Sequence, residues 1–290
     1  MTPSPGQKII MKISGFTIVR NALKYQYPVV EAITSILPVC DEFIVNVGDS
    51  EDNTMGVILG INSPKIRIIQ SNWDFSMGKD VLSYQTNLAL KECRGDWAFY
   101  LQSDEVVHEK DLDRLLRVMR RNLNREDVDA LRFRWFHFYG SYYRYRIDAG
   151  WYQKQDRIVR NNGMILSAGD AWGFERKDGR ALRRVNTGAY IYHYGWVNSG
   201  EIMTRRRVNA EKIGFTTLNQ EDRGATYIYG DLNRFPPYFG THPSVMRDRI
   251  RVHGLSREDL KDIRKRFWWH PFLRLGVRYK TGRREKRKIV

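Results

Sequence analysis

The chain is 290 residues long and 42% hydrophobic, enough to bury a sizeable core in one large domain or one domain with an extension. No run approaches the roughly 20 apolar residues of a membrane span, no basic start leads into an apolar core of the secretory type, and two cysteines, Cys40 and Cys93, are too few and too far apart for a disulfide framework or a zinc site. The formal charge of +16 asks for anionic partners, among which nucleotide phosphates, anionic lipid and nucleic acid all qualify.

Residues 1–7 are rich in Pro, Ser and Gly and are expected to be disordered. Residues 8–19 read as a first strand, broken at Gly15, and 27–37 as a short helix bounded by Pro28 and Pro38. A second strand over 42–47 opens into the polar loop 48–54, with a helix over 54–60 and a third strand over 65–70. Val81, Leu82, Leu88 and Leu90 give 80–93 the spacing of a helix. A fourth strand spans 97–102 and an amphipathic helix 110–123. Strands alternating with helices predict an α/β fold with a mostly parallel sheet covered on both faces. From 130 to 194 the chain turns aromatic and strand-like, predicting added strands and substrate-facing loops, and 201–214 and 256–265 read as late helices. The division expected is a disordered start (1–7), one domain (8–255, in halves 8–125 and 126–255) and a C-terminal extension (256–290). Within that extension residues 261–290 hold 12 Lys/Arg against two acids, together with Phe267, Trp268, Trp269 and Phe272. Such a segment suits an anionic membrane surface.

The most informative stretch is 96–109, where an apolar aromatic run stops at the adjacent carboxylates Asp104 and Glu105. A buried strand that carries carboxylates to its end places hard oxygen ligands at the sheet edge where α/β proteins bind ligands. Those ligands suit Mg²⁺ or Mn²⁺ carrying a phosphorylated substrate. Asp104 as a helix cap is the plainer alternative.

Several local patterns join this one. Arg20-Asn21 follows the first strand, and Asp41 to Val45 leads into Ser50-x-Asp52-x-Thr54. Trp73, the Gln85-x-Asn87 pair and Gly95-Asp96-Trp97 precede Ser103-Asp104-Glu105. Over about residues 12–125 this order resembles family 2-type glycosyltransferases of the GT-A fold, especially bacterial enzymes building lipopolysaccharide core and surface polysaccharide. The resemblance implies transfer of a sugar from a nucleotide-diphosphate sugar to a glycan or lipid-linked hydroxyl, inverting and metal-assisted. Two lone cysteines fit a reducing compartment, so a cytoplasmic protein is expected, with the basic tail docking it peripherally on the inner face of the membrane. It departs from the family at Gln102, where the metal motif usually starts with Asp, and at Val47, where Asp usually reads the base; Asp49 lies two residues on.

By the same resemblance Asp104 is the expected metal ligand, with Glu105 second and His193 a late ligand from the C-terminal half. Arg20, Asp49, Asp52, Gln85, Gln102 and Ser103 are expected around the nucleotide. Glu175 is expected as the general base, with Asp170 beside it and Asp148 in reserve. The aromatic run Trp135 to Tyr152 offers an acceptor platform in which about half the rings must be core. Two rivals are a sugar-nucleotide nucleotidyltransferase, which would want a Gly-x-Gly-x-Arg loop absent after the first strand, and a non-enzymatic polyanion-binding protein using the basic tail. No specific nucleic acid is expected.

Overall fold

The computed structural model describes residues 10–148 and 150–253. The expectations for residues 1–7 and 256–290 lie outside the described residues. In chain order the elements are β1 (Ile13–Val19), α1 (Val29–Ile36), β2 (Glu42–Gly48), α2 (Thr54–Leu59), β3 (Ile66–Ser71), α3 (Asp80–Lys91), β4 (Trp97–Tyr100), β5 (Glu105–Val107) and α4 (Leu112–Asn122). They continue with β6 (Ala130–Tyr139), β7 (Tyr145–Arg146), β8 (Lys154–Arg160), β9 (Ile165–Ala168), β10 (Gly173–Arg176), β11 (Arg184–Trp196), α5 (Gly200–Lys212), α6 (Gln220–Gly224) and α7 (Arg247–His253).

One sheet runs β3-β2-β1-β4-β8-β6-β11-β5, with β7 added beside β6. Its first four strands are parallel and so are β6 and β11, while β8 and β5 run against their neighbours. The mixed α/β architecture is the one that the resemblance leads one to expect. Every residue of β1 and almost every residue of β2 is buried, as in strands covered on both faces. Ile33, Phe43, Val45, Trp97, Phe99 and Leu115 form the core on one face, and Phe16, Ile44, Ala98, Tyr100 and Phe174 that on the other.

Gly15 does not break the first strand. It pairs with Phe43 and Phe99 in register, and a Cβ there would lie 2.4 Å from the Phe43 ring, so glycine is needed for that close packing. The fourth strand also ends earlier than its apolar run suggests. β4 stops at Tyr100, residues 101–104 turn, and Glu105 opens β5, which pairs with β11 at the far end of the sheet. The chain leaves β1 toward β2 and β3 on one side, then returns to place β4 on the other. That reversal creates a crevice at the carboxyl ends of β1 and β4.

Candidate active site

The crevice is a cleft of about 310 Å³. Its floor comes from the end of β1 (Ile18, Val19, Arg20) and the turn after β4 (Gln102, Ser103, Asp104). Trp73, Phe75 and Leu82 line it from the nucleotide half, and Tyr152, Asp170, Ala171 and Trp172 from the later half. Helix α5 and the chain just after it contribute Arg206, Asn209, Ala210, Ile213 and Phe215.

Asp104 faces this cleft with its side chain 16% exposed, and His193 Nε2 lies 3.6 Å from its Oδ2, beyond hydrogen-bond length. Burial pushes the Asp104 carboxyl up, but the opposing influence of His193 and the Arg206 guanidinium outweighs it and holds the group below the ordinary carboxylate range. The orientation of His193 is set from behind. His137 Nε2 contacts the Tyr152 carbonyl at 2.7 Å, and because a carbonyl only accepts, that nitrogen carries the proton. Burial drives the His137 pKa down to about 3, so the ring is neutral and its Nδ1 accepts from His193 Nδ1 at 3.1 Å. With its Nδ1 donating to His137, His193 turns Nε2 toward Asp104. A ring nitrogen and a carboxylate oxygen facing each other across 3.6 Å fit a shared cation, and a hydrogen-bond partner behind the ring is typical of metal-bound histidine. Among the described residues no three His, Cys, Asp or Glu side chains converge on one point, so any metal held here would draw its remaining ligands from substrate and water.

Gly195 makes this juxtaposition possible. A Cβ at Gly195 would sit 2.5 Å from His193 Nε2 and 2.6 Å from Asp104 Oδ2. Both atoms end movable side chains, so Gly195→Ala should fold but push the pair apart. We expect its Mn²⁺ affinity, measured by titration calorimetry, to fall about tenfold or more with little change in Tm. Wild-type affinity would show that the pair does not bind metal.

Arg206 was not singled out by the sequence, although three arginines stand in a row at 205–207. It shares a buried helix face with Ile202 and Met203, four and three residues earlier. Its Nε donates to the Tyr25 carbonyl at 2.8 Å, its two Nη to the carbonyls of Gly195 and Gln26, and the guanidinium lies 4.2 Å from the Tyr27 ring centroid. The partners within hydrogen-bond reach are therefore neutral, and the full positive charge is left facing the cleft.

The other expected residues divide. Ser103, Gln102 and Arg20 line the cleft. Arg20 is held by the Asp49 carboxylate (Nε–Oδ1 3.2 Å) and Glu51, so Asp49 sits at the rim through this pair. Asp52 does not line the cleft. Its carboxylate accepts from the Lys24 and Thr54 amides at 2.7 and 3.0 Å, bracing loop 21–26 against the start of α2. Gln85 is fully buried and bonded to Asn46, Ser71 and the Asn72 carbonyl, while Asn87 pins β9 through Ser167. Glu105 is also turned away from the cleft. It is fully buried, and both oxygens bind Arg157, at 2.6 and 2.7 Å. The reason is its place as first residue of β5, which points it into the core rather than out of the turn.

Asp170 lines the cleft, and its Oδ1 is buried without a hydrogen-bond partner among the described residues. Glu175 does not reach it. In the β9–β10 hairpin Phe174 points into the core, so alternation turns Glu175 to solvent. Asp148 is exposed and paired with Arg146. Of the aromatic run 135–152, only Tyr152 lines the cleft; Trp135, Phe138, Tyr139 and Tyr142 are core. The exposed rings at the mouth come from elsewhere, Trp172 at 52% and Phe215 at 44% exposure.

A cleft of nucleotide size at the switch point of the sheet, with a carboxylate–histidine pair and a buried cation, defines a nucleotide-dependent group transferase. Residues 16–181, more than half of the chain, match the family described as Glycosyl transferase family 2, and the chain belongs to it. It is a glycosyltransferase that uses a nucleotide-sugar donor, which sets the polyanion-binding and nucleotidyltransferase readings aside. Solved structures are similar to part of the chain. Staphylococcus aureus TarS (residues 1–349, in complex with UDP-GlcNAc) is 17% identical with a TM-score of 0.42, covering 73% of this chain and 69% of that one. Glucosyl-3-phosphoglycerate synthase of Mycobacterium tuberculosis, in complex with Mn²⁺, UDP and glucosyl-3-phosphoglycerate, is 15% identical with a TM-score of 0.39, covering 75% and 88%. No curated protein matches the chain. Among the described residues no helix is long and apolar enough to cross a membrane.

Proposed function

We propose that the cleft moves a sugar from a nucleotide-diphosphate sugar to a hydroxyl of a glycan or lipid-linked acceptor, with inversion. Asp104 and His193 would hold Mg²⁺ or Mn²⁺, which when bound neutralises charge on the departing diphosphate. The observation that carries this reading is their facing ring nitrogen and carboxylate oxygen, 3.6 Å apart beside buried Arg206. Arg206 aims a fixed positive charge at the same place, and a preorganised donor in a partly dry cleft costs no reorganisation when the bond breaks. Arg20 and Ser103 border the nucleotide, and the buried Trp73 Nε1, without a partner among the described residues, offers it a donor. Trp172 and Phe215 flank the mouth, where flat sugar faces stack. Asp170, with its unpartnered oxygen, takes the acceptor proton in place of Glu175. We assign the reaction to surface-polysaccharide assembly at the cytoplasmic face of a membrane, reached through the basic aromatic segment 256–290.

A thermal-shift panel of UDP-, GDP-, CMP- and dTDP-sugars, with and without Mn²⁺, tests the donor site. One nucleotide class should raise Tm in an Mn²⁺-dependent way, since a ligand at 100 times its Kd stabilises by about 2.7 kcal/mol. No shift with any donor sinks the reading. Asp170→Asn should then lower transfer by about 10²–10⁴-fold, and Glu175→Gln should leave it unchanged. The reverse pattern would restore Glu175 as the base.

A further inference from the structure

The position at which the metal motif departs from its family has a partner of its own. Gln102 Nε2 donates to the Ala171 carbonyl at 3.1 Å, across the cleft from its own strand. That carbonyl belongs to the turn that carries Asp170 and Trp172. The turn is conformationally demanding: Gly169 and Ala171 both adopt left-handed φ, +54° and +59°, and Ala171 N closes the turn on Ala168 O at 3.1 Å. A residue with a Cβ persists in that region only where its surroundings hold it. A second hold comes from Arg157, whose Nη1 donates to the Trp172 carbonyl at 2.9 Å while Glu105 clamps the same guanidinium. The four motif residues thus divide. Ser103 and Asp104 face the cleft, and Gln102 and Glu105, the latter through Arg157, grip two successive carbonyls of one turn.

We infer that Gln102 is a positioning residue that aims the Asp170 carboxylate into the cleft, and that the amide is required there because it can donate. An aspartate, the residue the family pattern leads one to expect, is a methylene shorter and offers only acceptor oxygens to a carbonyl oxygen. Restoring the pattern would therefore loosen the turn rather than improve the site. This inference rests on Asp170 as the acceptor base.

The test uses Gln102→Asp and the isosteric, donor-lacking Gln102→Glu in the full chain. Amide hydrogen exchange at residues 170–172 should accelerate in both, with exchange in β1 and β4 unchanged. Titration with Mn²⁺ alone should give wild-type or tighter binding to Gln102→Asp. Turnover of a UDP-, GDP- and dTDP-sugar panel should fall roughly tenfold to a hundredfold, the cost of a displaced reacting group, and the acidic limb of the pH profile, which reports the base, should move. Wild-type exchange in both variants overturns the inference, as does a Gln102→Asp protein that binds Mn²⁺ more tightly and turns over faster. Exchange is read without substrate, so it stands apart from the base assignment. Full activity in Asp170→Asn would remove Asp170 as the base and, with it, the functional half of the inference.

Discussion

Asp104→Asn is expected to lower sugar transfer by at least about 10²–10³-fold, the scale seen when one electrostatic contact to a developing negative charge is removed. The amide keeps the shape but carries no charge, so Mn²⁺-dependent nucleotide binding should weaken with it. Stability at neutral pH should fall modestly, well short of unfolding. The Asp104 carboxyl lies below its ordinary range, so its ionised form stabilises the fold above the unfolded value of about 3.9, and that contribution is lost as pH falls through the lower folded value. The window of loss is acidic, so near neutral pH the contribution is fully present in the wild type and missing in Asp104→Asn. The measurement is steady-state transfer alongside a melting curve. Wild-type turnover in Asp104→Asn would overturn the site; a collapsed melting temperature would show that the residue is structural.

Glu105→Ala should behave in the opposite way, through stability first. It removes one partner of an ion pair in which both side chains have no exposure, leaving the Arg157 charge buried and unmatched. Breaking such a pair costs about 3–5 kcal/mol, a fall of roughly 10 °C in Tm for a domain of this size. The Glu105→Leu/Arg157→Met double variant should recover most of that loss, because an apolar pair removes both charges together. It should still transfer sugar poorly, since the Arg157 hydrogen bond to the Trp172 carbonyl is gone. Chemical denaturation of the single and double variants decides the first point and turnover the second. A Glu105→Ala protein of wild-type stability that had lost Mn²⁺ binding would return Glu105 to the metal site.

The adjacent carboxylates show how far the sequence can be read. Two acids after a buried run mark a site, and Asp104, in the turn just beyond β4, faces the cleft as that reading requires. Which of them faces the cleft depends on where the strand stops. The strand expected over 97–102 ends two residues early, at Tyr100, and a new strand starts at Glu105, which sends one carboxylate into the cleft and the other into the core. Glu175 and Asp170 differ for a related reason: Asp170 sits in the turn of the β9–β10 hairpin, which lines the cleft, while Glu175 lies on β10, where alternation with inward Phe174 turns it to solvent. Arg206 was hidden by its neighbours, since Arg205 and Arg207 look the same until the helix face is known.

By itself the sequence determined the alternating strands and helices of the first half, the polar loop after β2, and the acidic motif with its family. These follow from local patterns, hydrophobic period, turn residues and charge, that survive in one dimension. The tertiary structure alone decided that His137 sets His193, that Gln102 reaches Ala171, that Asp52 holds the Lys24 amide and that Gln85 lies buried against Asn72. Those contacts join residues 13 to 69 positions apart. Their partners are chosen by how strands stack in the sheet, and no local pattern carries that choice.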